Sequence, residues 1–237
     1  MLLDEDQQKI VNHRHGHALV IAGAGSGKTH TIVSRAIKQI QDGISPESLL
    51  MLTYTNKGCA EIRERFTDIG IATPTISTFH GYGYNVIRSH PEAMQMRAYP
   101  SIMDAKDQQS LLRDFMRDTG IAKDELKGAL KFVDLMGNEG FDYSTDREQM
   151  AAFATQRNVP LELTSKVIEA CGYFDECKRY DNVLDYNDLI NLPIKALRYN
   201  PDLREQICKN INDICVDECQ DNNNAQSSCL TYLSLRL

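Results

Sequence analysis

A short glycine-rich segment near the amino terminus constrains the fold more than any other feature of this chain. Residues 22–29 read AGAGSGKT, directly after the apolar residues 18–21 and before a stretch with the apolar spacing of a helix. This order predicts a strand over residues 17–22, then a loop, then a helix. The glycines let the main chain approach a ligand closely, and N–H groups of the loop and helix start converge on anionic oxygens. The segment therefore predicts a cradle for the phosphates of a nucleotide.

The residue types in this loop predict separate roles in binding ATP and Mg²⁺. Lys28 is expected to reach the β- and γ-phosphates, and the hydroxyl of Thr29 is expected to ligate the metal ion. The predicted cofactor-binding residues of the loop are Ala22, Gly23, Ala24, Gly25, Ser26, Gly27, Lys28 and Thr29. A glycine-rich turn that matches the pattern by chance is the alternative, and the strand and helix patterns on either side argue against it.

The second half of a nucleotide site is predicted far along the chain, where the apolar residues 214–216 are followed by Asp217 and Glu218. In phosphate-loop enzymes an acid at a strand end holds Mg²⁺, and this is the role predicted for Asp217. Glu218 is then placed to polarise the attacking water as a general base. An exposed strand end with two carboxylates is the alternative. Asp217 lies 188 positions after Thr29, and this separation predicts a sizeable insertion between the two motifs.

Alternating helical and strand-like segments predict an α/β fold with a parallel sheet. The pattern in residues 1–90 predicts helices over 4–12, 57–69 and 79–88, a helix from Thr29 that Gly43 stops, and strands over 49–52 and 75–77. Residues 91–183 show only helical spacing, which predicts an inserted all-helical subdomain. Residues 184–237 then predict helices over 186–198 and 202–210, a strand at Ile214 and a last helix from Asn224. The nucleotide domain is therefore predicted to be discontinuous, comprising residues 1–90 and 184–237.

Composition and charge limit the class of protein. The chain has 237 residues and a net charge of −7, without the overall basic footprint of a nucleic-acid binder. Any contact with nucleic acid must then come from a local groove. The seven cysteines lack Cys-x2-Cys spacing, so reduced thiols are expected rather than metal ligands. No apolar stretch approaches the roughly 20 residues that cross a bilayer, so we expect no membrane partner and a cytoplasmic location.

Five further motifs give the chain a family resemblance. Residues 3–11 read LDEDQQKIV, residues 53–57 read TYTNK, residues 77–80 read STFH, residues 184–190 read LDYNDLI and residues 216–221 read VDECQD. Together with the phosphate loop, these segments resemble the N-terminal part of the UvrD/Rep/PcrA-type superfamily 1 DNA helicases. Those enzymes use ATP to move 3′→5′ along single-stranded DNA. The resemblance therefore implies ATP hydrolysis, Mg²⁺ and a RecA-like P-loop domain.

The resemblance also implies roles for residues around the nucleotide. The amide of Gln7, in the segment similar to the Q motif of the family, is expected to read the adenine edge, with a solvated helix as the alternative. His30 stands where relatives often carry an arginine against the adenine face, and it is expected to stack there. Gln220 is expected to couple the γ-phosphate to the DNA groove. The expected catalytic set is therefore Lys28, Glu218 and Gln220.

Two segments resemble the parts of the family that contact single-stranded DNA. The expected DNA-binding residues are Tyr54, Thr55, Asn56, Lys57, Phe79 and His80. Tyr54 takes the position of an aromatic side chain that stacks on a base, which suits a motor because stacking tolerates any sequence. The alternatives are that Tyr54 caps a buried strand end and that Phe79 and His80 serve core packing and a helix cap.

The resemblance further implies a partner for this half of the motor. The family carries a second, C-terminal RecA-like motor domain that supplies arginine fingers and half of the DNA track, and few residues follow Asp221 here. Because an arginine finger contributes about 10³–10⁵ in rate, we expect weak binding of nucleotide and DNA, very slow turnover and no unwinding by this chain alone. Two other interpretations stay open: a nucleotide-binding interaction module without helicase activity, and another phosphate-loop enzyme such as a small-molecule kinase.

Overall fold

The computed structural model describes residues 3–23 and 25–235, which fold as an α/β protein with parallel strands, as predicted. The helices are α1 (Glu5–Asn12), α2 (Lys28–Gln41), α3 (Asn56–Ile69), α4 (Phe79–Ser89), α5 (Ala105–Asp118), α6 (Leu126–Glu139), α7 (Arg147–Gln156), α8 (Leu161–Asp181), α9 (Asp188–Tyr199), α10 (Pro201–Cys208) and α11 (Asn224–Ser234). The strands are β1 (Leu49–Thr53), β2 (Thr75–Thr78), β3 (Ser101–Ile102), β4 (Val183–Leu184) and β5 (Asp213–Val216).

The main sheet is parallel and has the strand order β2–β1–β5. Leu52 of β1 lies opposite Ser77 of β2 and Val216 of β5, so the three strands end at the same edge. All five residues of β1 are buried, as a continuous apolar run predicts for a strand covered on both faces. This carboxyl-terminal edge positions the residues that follow each strand.

Helices α2 and α3 pack on one face of the main sheet through apolar stripes that recur every three or four residues. Val33 and Ala36 of α2 and Phe66 of α3 are buried in one cluster with Leu49 and Met51 of β1. Fully burying a side chain such as Phe66 stabilises the fold by about 1.5–3 kcal/mol. The cluster therefore fixes α2, and with it the phosphate loop, against the sheet.

Capping residues set the ends of several helices. The Asp4 carboxylate accepts the N–H of Gln7 while the Gln7 side chain accepts the N–H of Asp4, and this capping box starts α1. Gly70 and Gly140 end α3 and α6 in the left-handed region, with φ of 72° and 77°. The predicted end of the third helix at residue 69 is confirmed.

The strand predicted over residues 17–22 does not form, and this prediction was wrong. The segment has no strand partner, and Leu19 and Ile21 are 73% and 89% exposed. Apolar residues predict burial, but a strand also needs hydrogen bonds to a neighbouring strand, and this segment is not part of the sheet β2–β1–β5. The phosphate loop is therefore preceded by an irregular, exposed segment.

The chain divides into two compact units. The first comprises Met1–Tyr82, Asp202–Asn222 and Leu233–Leu237, and the second comprises Gly83–Pro201 and Asn223–Tyr232. This division differs from the predicted domains, because α9 and most of α11 group with the helical segment. Along the described residues, no helix combines the length and apolar character needed to cross a bilayer.

Close backbone approaches explain why α9 and α11 belong to the second unit. A Cβ added to Gly83 would lie 1.7 Å from the carbonyl oxygen of Leu189 in α9, so only glycine allows this contact. A Cβ added to Gly140 would lie 3.3 Å from Ala225 in α11. Sequence patterns do not reveal such contacts, because the paired residues are far apart in the chain.

The second unit is mainly helical and packs α5, α6, α7 and α8 around buried residues such as Met116, Met136 and Met150. The prediction of an all-helical segment over residues 91–183 was wrong in one respect, because β3 pairs in parallel with β4 and Ser101 lies opposite Val183. Strands of two residues are too short to show the alternation that identifies a strand in a sequence. The apolar spacing in this segment marks individual helices around residues 111–116, 126–133 and 161–180, and α7 was not among them.

A buried ion cluster lies in the second unit. The Nζ of Lys178 is 3.0 Å from Asp175, 2.8 Å from Asp185 and 2.8 Å from Asp188. Burial raises the pKa of Asp188 to about 7, although the attraction of Lys178 opposes this shift. Burial also opposes the charge of Lys178, but the three carboxylates hold its pKa well above the ordinary value. One ammonium therefore faces three carboxylates, and the cluster takes up a proton more readily than an isolated aspartate.

We expect Asp188 to make the free energy of unfolding depend on pH. Its pKa of about 7 lies above the ordinary value of 3.8, so its stabilising contribution is complete below that value and is lost as the pH rises through about 7. Asp188→Asn removes this contribution, so the stability of the wild type relative to the variant should fall as the pH rises. Urea unfolding of both proteins at about pH 5 and about pH 8 measures the change. A relative stability that is constant or rises with pH would contradict this assignment.

Candidate functional site

The carboxyl-terminal edge of the main sheet brings together residues from three predicted motifs. Tyr54 follows β1, Phe79 follows β2 and Asp217 follows β5. The parallel register aligns Thr53 with Thr78, and the Asp217 N–H donates to the carbonyl oxygen of Leu52 at 2.9 Å. Ligands of open parallel sheets bind outside the carboxyl ends of the strands, which makes this edge the candidate site.

The phosphate loop reaches this edge in a conformation that requires glycine. Gly25 and Gly27 have φ of 76° and 80°, in the left-handed region that residues with a Cβ rarely adopt. The Ser26 hydroxyl donates to the carbonyl oxygen of Gly23 at 2.7 Å, which tightens the turn. Helix α2 starts after Gly27 without a side-chain cap, so its first-turn N–H groups face the loop mouth. Ala22 is exposed, and the prediction for Ala24 lies outside the described residues.

The phosphate loop and the strand-end acid meet directly. The Oγ1 of Thr29 donates to Oδ2 of Asp217 at 2.8 Å, and Asp217 is buried. The Nζ of Lys28 donates to the carbonyl oxygen of Ala22 at 3.4 Å, so this amine stays at the loop. One hydroxyl and one carboxylate suit Mg²⁺, because this ion is usually held by one or two protein ligands while phosphate oxygens and water complete an octahedron.

Glu218 has an unusual backbone next to this pair. Its φ of 52° lies in the left-handed region, where a side chain with a Cβ is strained. The Glu218 N–H donates to Oδ1 of Asp217 at 3.1 Å, and the Gln220 amide donates to Oε2 of Glu218. These contacts hold two carboxylates and one amide within a single turn after β5. Their predicted catalytic roles stay predictions.

Gln7 and His30 lie beside the loop, where adenine recognition was predicted. The Gln7 amide donates to the carbonyl oxygen of Ser26 at 3.0 Å and also accepts the Asp4 N–H, so it is bonded at both ends within the chain. The Gln7 side chain is buried, whereas Glu5, Asp6, Gln8 and Lys9 of the same helix are exposed. The buried Nε2 of His30 finds no hydrogen-bond partner among the described residues. The contacts of both residues with adenine stay predictions.

The first predicted DNA segment is exposed and follows β1. Tyr54 is 55% exposed, which does not favour the alternative of a buried strand cap. The Thr55 hydroxyl accepts the Gly58 N–H at 2.9 Å and so caps α3. Asn56 is exposed at the start of α3, and the Lys57 amine lies 3.7 Å from Glu61 on the helix surface. The four side chains therefore have the exposure that contact with a polyanion requires.

The second predicted DNA segment is different. Phe79 is only 4% exposed, so its ring belongs to the core, as the packing alternative states. At a strand-to-helix turn, the sequence does not distinguish an aromatic ring that stacks on a base from one that packs into the core. His80 is half-buried, and burial lowers the pKa of its imidazole below the ordinary value. Its imidazole therefore loses its proton at a lower pH than the imidazole of a free histidine does.

An ion pair that anchors α2 was missed from the sequence. The guanidinium of Arg35 lies 2.9 Å from Oδ2 of Asp213 in β5, and the Gln39 amide donates to the same oxygen at 2.7 Å. Arg35 also donates to the carbonyl oxygens of Ile10 and His13 at the end of α1. The sequence feature that could have indicated this contact is the spacing of Arg35 and Gln39, which lie four residues apart beside the apolar stripe of α2. Their partner Asp213 is distant in the chain, so the spacing does not reveal which residue they contact.

The part of the chain that the structure describes shows neither a disulfide nor a cluster of metal-ligating side chains near this site. None of the seven cysteines is in a disulfide, and burial raises the pKa of Cys215 in β5 to about 12. Within residues 3–23 and 25–235, no group of three or more histidine, cysteine or acidic side chains is arranged to hold a metal ion. The metal roles of Thr29 and Asp217 stay predictions.

Comparison with known proteins is consistent with this site. The sequence matches the model of the UvrD/REP helicase N-terminal domain over residues 3–236. ATP-dependent DNA helicase Rep of Escherichia coli (strain K12) is 32% identical over 239 residues, which is 98% of this chain and 34% of that protein. ATP-dependent DNA helicase PcrA of Leuconostoc citreum is 29% identical over 99% of this chain and 31% of that protein.

The Probable DNA helicase II homolog of Rickettsia felis is 29% identical over 94% of this chain and 34% of that protein. The chain thus spans about a third of the length of these curated relatives. The resemblance inferred from the motifs is confirmed over nearly the whole chain. This chain belongs to the UvrD/REP helicase N-terminal domain family.

Proposed function

We propose that this chain is the ATP-binding half of the motor of an ATP-dependent DNA helicase, with ATP and Mg²⁺ at the carboxyl-terminal edge of the main sheet. The names of the relatives, which are ATP-dependent DNA helicases, support the activity. The observation that carries the proposal is the 2.8 Å hydrogen bond from Thr29 to Asp217, which joins the phosphate loop to the strand-end acid. A glycine-rich turn matching the motif by chance would have no reason to meet such an acid.

In this proposal, Lys28 and the start of α2 bind the triphosphate. The uncapped first-turn N–H groups of α2 carry partial positive charge, and the Lys28 ammonium neutralises oxygens of the β- and γ-phosphates. Thr29 and Asp217 hold Mg²⁺, which neutralises charge on the phosphate oxygens when bound. Gln7 and His30 contact the adenine, and the loop residues from Ala22 to Gly27 enclose the phosphates.

Glu218 serves as the general base and Gln220 as its positioning partner. The amide of Gln220 donates to Glu218, which orients the carboxylate toward the attacking water. The proton of that water passes to Oε1 or Oε2 of Glu218 as the bond from the water oxygen to the γ-phosphorus forms. The bond from the γ-phosphorus to the β–γ bridging oxygen breaks in exchange, and ADP leaves with the electron pair of that bond. Gln220 also couples the γ-phosphate to the DNA groove.

Single-stranded DNA follows the same edge of the sheet. Tyr54 stacks on a base, and the hydroxyl of Thr55 together with Asn56 and Lys57 binds phosphates, in keeping with their exposure. His80 contributes a polar contact, whereas the buried Phe79 supports the turn from within. The full motor steps 3′→5′ along this track.

Residues 91–183 act as a subdomain inserted into the RecA-like domain, and a C-terminal motor domain completes the ATP cleft with its arginine fingers. By itself the chain binds ATP and single-stranded DNA weakly, turns over ATP very slowly and unwinds no duplex. The rate contribution of an arginine finger, about 10³–10⁵, accounts for the difference. The work of the full motor on cellular DNA implies a cytoplasmic location.

Lys28→Ala tests the nucleotide site. Because a hydrogen bond to a charged group is worth about 1.5–3 kcal/mol, the affinity for a fluorescent ATP analogue in the presence of Mg²⁺ should fall about 10- to 100-fold. Titration followed by fluorescence measures the dissociation constant. The matched control is Lys38→Ala on the same helix, since Lys38 pairs with Asp42 at the surface and should not affect binding. Equal affinities of Lys28→Ala and wild type would refute the site.

A further inference from the structure

An arginine in the second unit lies between two tyrosine rings. The guanidinium carbon of Arg88, on α4, is 5.8 Å from the ring centroid of Tyr84 and 5.7 Å from that of Tyr99. Both distances fall within the range of cation–π attraction, about 6 Å. Tyr99 is nevertheless 78% exposed, so most of its ring remains accessible. Arg88 and Tyr99 therefore form a cationic and aromatic surface rather than a buried contact.

A second arginine and tyrosine lie on the adjoining segment. The backbone N–H of Arg97 donates to Oδ1 of Asn182 at 2.7 Å, and its guanidinium donates to the carbonyl oxygen of Tyr180 at 2.9 Å. The pairing of Ser101 with Val183 continues this contact between the two segments. Tyr180 is 83% exposed. We call Tyr84, Arg88, Arg97, Tyr99 and Tyr180 the tyrosine–arginine surface.

The backbone holds this surface in a costly conformation. Tyr99 has φ of 58°, in the left-handed region that an aromatic residue rarely adopts. Strain of this kind is retained in proteins mainly where a function requires it. Packing gives no such reason here, because a ring that is 78% exposed buries little area.

The two guanidinium groups also lack the usual partners. Among the described residues, Arg35 and Arg198 pair with carboxylates, whereas Arg88 and Arg97 have no carboxylate within ion-pair distance. In a chain with a net charge of −7, two such cations beside exposed rings form a local site for an anion. Guanidinium groups bind phosphates through paired hydrogen bonds, and tyrosine rings stack on bases of any sequence.

We propose that the tyrosine–arginine surface binds single-stranded DNA, with Tyr99 and Tyr180 stacking on bases and Arg88 and Arg97 binding phosphates. This inference rests on the proposed function, because it assigns a second contact for the same ligand. It concerns the second unit alone, whereas Tyr54, Thr55, Asn56 and Lys57 belong to the first. A protein partner is disfavoured because the exposed Tyr99 ring has the Arg88 cation beside it, and the Arg97 guanidinium lies at the backbone of the exposed Tyr180.

Fluorescence anisotropy with labelled oligothymidine and the full chain tests the proposal. Tyr99→Ala should weaken binding about fivefold or more, which is the lower end of the value of one stacked base. Tyr99→Phe keeps the ring and should bind as the wild type does. Tyr173→Ala is the matched control, since Tyr173 is an exposed tyrosine of α8 outside this surface. Thermal unfolding of each variant verifies that it is folded.

A salt titration adds a readout that a folding defect would not produce. Each phosphate contact on a single strand contributes about 0.7 to the slope of the logarithm of affinity against the logarithm of salt concentration. Arg88→Gln and Arg97→Gln should each reduce the slope by about this amount. The slope of Tyr99→Ala should equal that of the wild type, since stacking involves no phosphate.

The outcomes separate this inference from the proposed function. If Tyr54→Ala weakens DNA binding and Tyr99→Ala does not, the tyrosine–arginine surface is overturned while the proposed DNA track stands. If the wild type does not bind oligothymidine even at low salt, both are overturned. Unchanged DNA affinity in Tyr99→Ala with loss of self-association in sedimentation would identify a protein interface, and this too would overturn the inference.

Discussion

Replacing Lys178 with methionine is expected to lower the free energy of unfolding by about 3–5 kcal/mol, because the change leaves buried carboxylates without their cation. Lys178 lies within 3.0 Å of Asp175, Asp185 and Asp188. Methionine has a similar volume, so the expected loss comes from charge rather than from a cavity. Urea unfolding followed by circular dichroism measures it.

Lys166→Met is the matched control on the same helix. Lys166 pairs with Glu162 at the surface, where water screens the interaction, so its unfolding midpoint should match that of the wild type. The double variant Lys178→Met/Asp188→Asn also removes one of the carboxylates left without a cation. It should recover part of the lost free energy of unfolding. Equal midpoints for Lys178→Met and Lys166→Met would show that the cluster contributes little to stability.

Glu218→Gln is expected to lower the rate of ATP hydrolysis about 10²–10⁴-fold, because an amide cannot accept the proton of the attacking water. Nucleotide affinity should be unchanged, since Lys28, Thr29 and Asp217 keep their positions. Single-turnover hydrolysis of radiolabelled ATP measures the rate even when turnover is slow. Titration with a fluorescent ATP analogue measures affinity in the same preparation.

Asp221→Asn provides the comparison for Glu218→Gln. Asp221 lies in the same short turn and is exposed, so Asp221→Asn should hydrolyse ATP at the same rate as the wild type. A Glu218→Gln protein that hydrolyses ATP at the wild-type rate would exclude this residue as the general base. A fall in the affinity that matches the fall in rate would assign Glu218 to binding instead.

The sequence allowed most of the main sheet to be predicted, because its signals are local. The apolar run that became β1 and the stripe of Val33 and Ala36 in α2 identify themselves within a few residues. The phosphate loop and Asp217 were predicted to lie together from their chemistry, and a hydrogen bond of 2.8 Å joins Thr29 to that acid. The roles of these residues in catalysis stay predictions.

Other features escaped prediction because they depend on partners that are distant in the chain. Arg35 finds Asp213 and Gly83 meets Leu189 only after the chain has folded. Phe79 was predicted to contact DNA and is buried, since a motif specifies a residue type and not the direction of its side chain. Residues 17–22 were predicted as a strand from their apolar character, which indicates burial but does not show whether the segment pairs with another strand.

Leu19 and Ile21 carry a practical consequence for anyone who handles this protein. Both side chains are apolar and exposed, and the backbone beside them pairs with no strand. Another chain can form hydrogen bonds to such a backbone, as it can to an exposed edge strand. The residues that lead into the nucleotide loop are thus also the place where molecules of this protein would adhere to one another. Concentrated solutions are expected to aggregate through this stretch first, and a charged residue at position 19 or 21 should reduce that aggregation.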